Sequence, residues 1–301
     1  MLQGLVVGTY GRHCDVQTAD GKIIPCTTRG RKTGIACGDQ AEITPAKNNQ
    51  GVIEKILPRF SLLYRSDPFR EKLFAANVTQ VVIVLASVPS YNEDILNAGL
   101  VAAEAATISS LIVLNKADLL EETRRAMEAL AIYEKLGCEL LVISALKDIS
   151  PLRAHLTGHT SVLLGESGMG KSTLLNALLP DAKARTGEIS TALDSGKHTT
   201  TATQMYHIDA DSKIIDSPGF QEFGLFHLSD TDITYSMPEF RPLLGQCRFS
   251  NCRHLQEPGC AITSSDKVSK RRLAFYQNLI AKHDALRAMN PAVGTKNSGR
   301  K

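Results

Sequence analysis

A chain of 301 residues, 43% hydrophobic and 22% charged, has the make-up of an ordinary folded protein, which excludes a mainly disordered, collagenous or coiled-coil molecule and suits two or three domains. Its apolar runs, such as Val81 to Ala86 and Leu111 to Leu114, are of strand length and far short of the ~20 residues that cross a bilayer; with neither a basic nor an apolar leader at Met1 to Leu5, the chain is expected to be cytoplasmic and to have no membrane partner. The net charge of +3 is unevenly spread, with 8 Lys/Arg against 5 Asp/Glu in residues 1 to 60, 14 against 23 in the middle and 12 against 3 in residues 241 to 301, so basic ends that suit a polyanion flank an acidic centre.

Five short β-type runs come first: Leu5-Val6-Val7, Cys14-Asp15-Val16, Lys22-Ile23-Ile24, Ala41-Glu42-Ile43 and Val52 to Ile56. Gly8, Gly11, Asp20-Gly21, Gly34, Gly38 and Asn49-Gln50-Gly51 punctuate them as turns. The pattern predicts a small β-barrel of the oligonucleotide-binding (OB) type, with an SH3-like barrel as the alternative. Arg29, Arg31 and Lys32 sit with Gly30 and Gly34 in one loop, where backbone and charge meet phosphate. Residues 58 to 78 read as a linker. Strands at 81–86, 109–114, 139–143 and 160–164 then alternate with helices near 93–106, 119–136 and 171–179, which predicts a parallel sheet covered on both faces, with binding sites beyond the carboxyl ends of its strands.

The strand before residue 165 runs into Gly165-Glu166-Ser167-Gly168-Met169-Gly170-Lys171-Ser172, followed by Thr173 and a helix. This is a phosphate-binding loop: its backbone N–H groups face the phosphates, Lys171 reaches the β- and γ-phosphates, and Ser172 ligates magnesium. Base choice is written elsewhere, in Asn115-Lys116-Ala117-Asp118. The Asp118 carboxylate accepts from guanine N1–H and its 2-amino group, Asn115 braces the loop, and the Lys116 stem covers the ring. Ser144-Ala145-Leu146 supplies a further small loop whose backbone N–H is expected near the guanine O6. A short strand, Lys213 to Asp216, ends in Asp216-Ser217-Pro218-Gly219, where Asp216 holds magnesium through water and the Gly219 N–H senses the γ-phosphate. Between these elements Ser195 to Thr201 reads as a switch, with Thr200 the threonine expected to reach magnesium.

The guanine-reading segments precede the phosphate loop, the reverse of ordinary GTPases, so the sequence resembles a circularly permuted GTPase. Joining chain ends that lie close together and reopening elsewhere keeps the core intact. Further on, Cys247, Cys252, His254 and Cys260 supply three thiolates and one imidazole, a closed tetrahedral set that predicts one structural zinc per chain. Seven cysteines, an odd number, argue against a disulfide framework, and Cys14, Cys26, Cys37 and Cys138 read as small apolar residues. A helix over 265–289 carries Val268, Leu273, Tyr276, Leu279 and Ile280 as its packing face, with Lys270, Arg271, Arg272, Lys282 and Arg287 around it as RNA candidates. Residues 291–301 read as a disordered tail.

A β-barrel, a permuted GTPase and a Cys-Cys-His-Cys zinc site together resemble the ribosome small-subunit-dependent GTPase family, RsgA, over residues 1 to about 290. Tyr10-Gly11-Arg12, Leu57-Pro58-Arg59, Arg65-Ser66-Asp67 and Ala76-Asn77-Val78 extend the likeness beyond the site motifs. The resemblance implies a fold of an N-terminal OB-type barrel (1–60), a central permuted α/β GTPase domain (61–228) and a C-terminal zinc-binding, α-rich domain (229–290). It implies a monomeric bacterial enzyme that binds the 30S subunit late in maturation, touches 16S rRNA but not DNA, and hydrolyses GTP with Mg2+ to GDP and phosphate under stimulation by the subunit. Phe220 stands where many small GTPases place a water-orienting glutamine. His198, which matches the histidine of the family's Gly-His-Thr-Thr type motif behind Gly196-Lys197, is therefore the expected catalytic residue, with Lys171 and Thr200 beside it.

Overall fold

A computed structural model describes residues 1–11, 13–28, 34–67, 70–179, 203–216 and 223–289. The first five strands, β1 (Leu2–Tyr10), β2 (His13–Thr18), β3 (Ile23–Thr28), β4 (Gln40–Pro45) and β5 (Gly51–Ile56), fall on the five predicted runs. They pair in the order β1-β2-β3-β5-β4, and β4 returns to β1 to close the barrel. β3 and β5 run parallel. That crossover selects the OB arrangement, because an SH3-like barrel is an antiparallel meander. Alternate residues point inward, so Val6, Cys14, Val16, Cys26, Ala41, Ile43 and Ile53 form the barrel core.

The predicted linker is instead a β-hairpin. β6 (Leu62–Asp67) and β7 (Arg70–Ala76) pair antiparallel from Leu62↔Ala76 to Asp67↔Arg70. Pro58 precedes the first strand and so does not have to donate to the ladder. Leu63, Phe74, Ala75 and Ala76 are buried, and this burial stabilises the hairpin.

The central sheet is built on β8 (Gln80–Ala86), β9 (Ser109–Asn115), β10 (Glu139–Val142), β11 (Thr160–Leu164) and β13 (Lys213–Asp216), all mutually parallel in the order β10-β9-β8-β11-β13. The expectation of a wholly parallel sheet needs correcting at its edge: β12 (Thr203–His207), not foreseen, runs antiparallel to β13. β12 also pairs with β1, Gly8 opposite Gln204 and Thr9 opposite Thr203, so barrel and central sheet form one eleven-stranded sheet. β8 is buried along its whole length. Val81, Ile83 and Leu85 face a layer containing α1 (Glu93–Ala105) and α2 (Leu120–Lys135), while Val82, Val84 and Ala86 face α3 (Ser150–Leu156) and α4 (Lys171–Leu178). Asn92 caps α1 by accepting from the Asp94 N–H at 2.9 Å.

The C-terminal part consists of α5 (Asp230–Tyr235), opened by a Ser229/Asp232 capping box, a 3-10 turn (Pro238–Leu243), the cysteine-bearing loops and α6 (Lys270–Met289). α6 begins five residues later than predicted; Val268, Tyr276, Leu279 and Ile280 are buried as expected. Its arginines are not the free cations that the sequence promised. Arg272 is 1% exposed and forms an ion pair with Glu239, itself 3% exposed. Arg271 pairs with Glu93, and Arg287 with Asp230 and Asp284. The Arg272–Glu239 pair holds α6 in place, because a buried guanidinium must be met by a carboxylate. Among the described residues, no helix is long and apolar enough to cross a membrane.

Candidate guanine-nucleotide site and metal centre

Because β8, β9, β10, β11 and β13 run parallel, the loops that follow them gather at one edge of the sheet. Asn115 closes β9 and ties three of those loops together. Its Nδ2 donates to the Met169 carbonyl at 3.0 Å, and its Oδ1 accepts from the Ala145 N–H at 2.9 Å. Gly170 lies against it with φ +93°, and a Cβ there would sit 2.3 Å from Asn115 Nδ2, so only glycine fits. The Ala145 N–H is thus spent on Asn115 rather than open to a base. Lys116 Nζ donates to the Val88 carbonyl at 2.7 Å, and Ser144 Oγ donates to Asp118 Oδ1 at 2.6 Å. That hydroxyl is the main reason the Asp118 carboxyl lies below its ordinary range, which keeps it an acceptor.

These side chains line a pocket of about 130 Å³ formed by Asn115, Lys116, Asp118, Ser144, Ala145, Leu146, Gly170 and Thr173. Leu146, expected to contribute only backbone to this loop, is 81% exposed beside it. An apolar side chain left in water at the mouth of a pocket suits a flat ring. The loop after β8 also went unread in the sequence: besides the Val88 carbonyl, Pro89 approaches Gly168, and the Asn92 N–H donates to Glu166 Oε2 at 2.7 Å. Its position beyond a parallel strand was the signal.

The phosphate loop has the expected strand-loop-helix setting, with Gly165, Gly168 and Gly170 all at positive φ. Lys171 Nζ curls back over it to the carbonyls of Gly165 and Glu166 at 2.5 and 2.7 Å. Burial lowers its pKa, and the charges of Asp216 and Glu166 oppose that shift. Asp216 ends β13 beside this loop, in register with Gln204 of β12. Ser172 and Thr173 occupy the first turn of α4, and Ser167 and Met169 complete the loop. His198, Thr200, Gly219 and Phe220 lie outside the described residues, as do Arg29, Gly30, Arg31 and Lys32.

The four predicted metal ligands converge: one ligand atom from each of Cys247, Cys252, His254 and Cys260 lies within 4.8 Å of all the others. Cys247 Sγ and Cys260 Sγ are 3.9 Å apart, and His254 Nδ1 lies 3.5 and 3.4 Å from them. A tetrahedron with zinc–sulfur bonds of about 2.3 Å has edges of about 3.8 Å, so this donor set fits a closed zinc site. Surrounding groups orient the ligands: the Ala261 and Thr263 N–H groups donate to Cys247 and Cys260, and Glu257 accepts from the N–H groups of Arg253 and Leu255. Burial lowers the His254 pKa, which favours the neutral imidazole that a metal needs. Cys14, Cys26 and Cys37 are buried, in keeping with an apolar role.

The order of elements around the sheet, guanine loop before phosphate loop, meets independent support in known proteins. A model of the RsgA GTPase family matches residues 56–226. A Nitrosospira multiformis protein named small ribosomal subunit biogenesis GTPase RsgA is 52% identical over 298 residues, covering 98% of this chain and 95% of its own. The chain belongs to the RsgA GTPase family. An RsgA protein of the same name from Nitrosomonas europaea is 53% identical over 285 residues, covering 93% and 91% of the two chains. Among solved structures, YjeQ from Thermotoga maritima superposes with a TM-score of 0.71 at 29% identity, covering 94% of this chain and 98% of that one. YloQ, described as a circularly permuted GTPase, gives 0.67 at 25% identity, covering 95% and 96%. The three-part architecture and the permutation are therefore those of the RsgA family, and the chain is a GTPase.

Proposed function

We propose that this protein hydrolyses GTP while bound to the maturing 30S ribosomal subunit, acting there as an assembly factor in contact with 16S rRNA. The observation that carries this reading is the convergence of Asn115, Lys116, Asp118 and Ser144 on a pocket against Gly170 and Thr173, within a chain so similar to proteins named for small-subunit biogenesis. In this reading Asp118 selects guanine, and a base lacking the matching donors is rejected by something like ~10⁴-fold because the carboxylate is left unpaired. Lys171 and the loop N–H groups hold the β- and γ-phosphates. Ser172, Thr200 and Asp216 would hold Mg2+, which supplies charge neutralisation on the phosphates. His198 orients the attacking water, and GDP and phosphate leave.

Residues 1–60 are assigned to RNA contact, 61–228 to the nucleotide cycle and 229–290 to a zinc-stabilised docking domain, in a monomeric cytoplasmic protein without a DNA partner. β12 joins the nucleotide end of the central sheet to barrel strand β1, a route by which the barrel senses the site. Phosphate release with and without 30S subunits tests the reading, on the wild type and on His198→Ala. Stimulation by the subunit is expected, and the variant should lose most of it while retaining GTP affinity and subunit binding. Absence of stimulation in the wild type would reduce the protein to an RNA-binding scaffold with GTP as a structural ligand. Full stimulation in the variant would remove His198 from the mechanism.

A further inference from the structure

The loop between the first two metal ligands, Arg248-Phe249-Ser250-Asn251, is exposed throughout. It is short and pinned at both ends, by Cys247 and Cys252 in the metal cluster, and a turn bond from the Cys252 N–H to the Phe249 carbonyl at 3.3 Å braces its middle. At its base the Arg248 N–H donates to the Gly259 carbonyl at 3.0 Å. Gly259 has φ +76°, and a Cβ there would lie 2.9 Å from Arg248 Cβ, so the close approach that seats Arg248 requires glycine.

Phe249 is 42% exposed and belongs to none of the buried clusters. The Arg248 guanidinium lies over its ring, 5.4 Å from the centroid. Other arginines of this region are occupied: Arg241 with Glu104, Arg253 with Asp230 and Asp284, Arg271 with Glu93, Arg272 with Glu239 and Arg287 with Asp230. Arg248 pairs with no carboxylate among the described residues. A rigid loop thus presents one aromatic ring, one cation, a hydroxyl and an amide, with no acidic group to repel phosphate.

We infer that this loop is a stacking platform for an unpaired RNA base, with Phe249 against the base, Arg248 on the adjoining phosphate, and Ser250 and Asn251 available to base edges. Aromatic side chains hold single-stranded nucleotides in this way, and an arginine adds charge and cation–π attraction. A protein surface would also accept an aromatic anchor, but a loop whose one charged side chain is the cation Arg248, with no carboxylate of its own, favours a polyanion. The RNA contacts of the C-terminal part are thereby moved from the arginines of α6 to the metal loop.

The inference rests on the 30S reading, and one experiment separates their failures. Zinc-loaded full-length protein, carrying a photoreactive benzoylphenylalanine at position 249, is irradiated on 30S subunits. In parallel, Phe249→Ala, Phe249→Tyr and Arg248→Gln are measured for 30S binding across a salt series. The expected results are an adduct destroyed by ribonuclease, affinity about tenfold lower for Phe249→Ala with an unchanged salt slope, and near-complete rescue by tyrosine. Arg248→Gln should flatten the salt slope by about one phosphate. An adduct destroyed only by protease, or wild-type affinity in Phe249→Ala with normal zinc content, overturns the platform and leaves the 30S reading standing. Failure of the wild type to bind 30S subunits overturns both.

Discussion

Removing Arg272 should cost more stability than removing any exposed cation of the same helix. Its guanidinium donates to Glu239 at 2.5 and 3.2 Å and to Asn97 Oδ1 at 2.8 Å, and lies 5.6 Å from the centre of the Tyr133 ring. Arg272→Ala leaves the Glu239 carboxylate buried without a cation, a loss of roughly 3–5 kcal/mol. The damage falls on the seam between α6 and the helices α1 and α2, because Asn97 and Tyr133 belong to those helices and Tyr133 bonds both Asn97 and Glu93. Pulse proteolysis across a urea series suits a chain that contains no tryptophan. Lys282→Ala, an exposed control, should stay within about 0.5 kcal/mol of wild type. The double variant Arg272→Met/Glu239→Met removes both charges and should recover most of the loss. Arg272→Ala within about 1 kcal/mol of wild type, or a double variant no better than the single, would refute the reasoning.

Chelation of the metal, or Cys252→Ser, should loosen residues 240–262 while leaving GTP binding nearly intact, since the metal's binding energy is local folding energy; hydrogen exchange locates the loosening, and metal analysis should find one zinc per chain. Lys171→Ala should slow hydrolysis by ~10²-fold or more, because the loop loses the cation facing the transferred phosphate; single-turnover phosphate release measures it, and normal turnover would place the chemistry elsewhere.

The candidate nucleotide and metal clusters stand out in the sequence because each set is contiguous or closely spaced in the chain, so residue type and spacing suggest the chemistry without knowledge of the fold. Barrel strands were legible from alternation, but the choice between barrels depended on the parallel β3–β5 pairing, and pairing order leaves no local trace. The β6–β7 hairpin was hidden by Pro58 and Pro68, whose usual meaning is a break. β12 was hidden by its composition: Thr203, Gln204 and His207 leave only Met205 and Tyr206 as apolar residues, too few for a strand signal, although its partner β13 lies close by in sequence. Arg272 looked like an RNA-contacting cation since its partner Glu239 lies far back in sequence. The exposed Leu146 side chain and the Val88 carbonyl escaped for a related reason: each acts through where the fold sets it, and a leucine side chain or a backbone oxygen has no signature.

The central claim is that the pocket around Asp118 reads guanine for the reaction the chain performs. Phosphate release from GTP, ATP and xanthosine triphosphate on 30S subunits, by wild type and by Asp118→Asn, tests it most directly. Wild type should consume GTP and spare the other two, whereas the amide variant should lose GTP and gain xanthosine triphosphate, because its N–H meets the 2-oxo group. An unchanged base preference in Asp118→Asn would contradict the account.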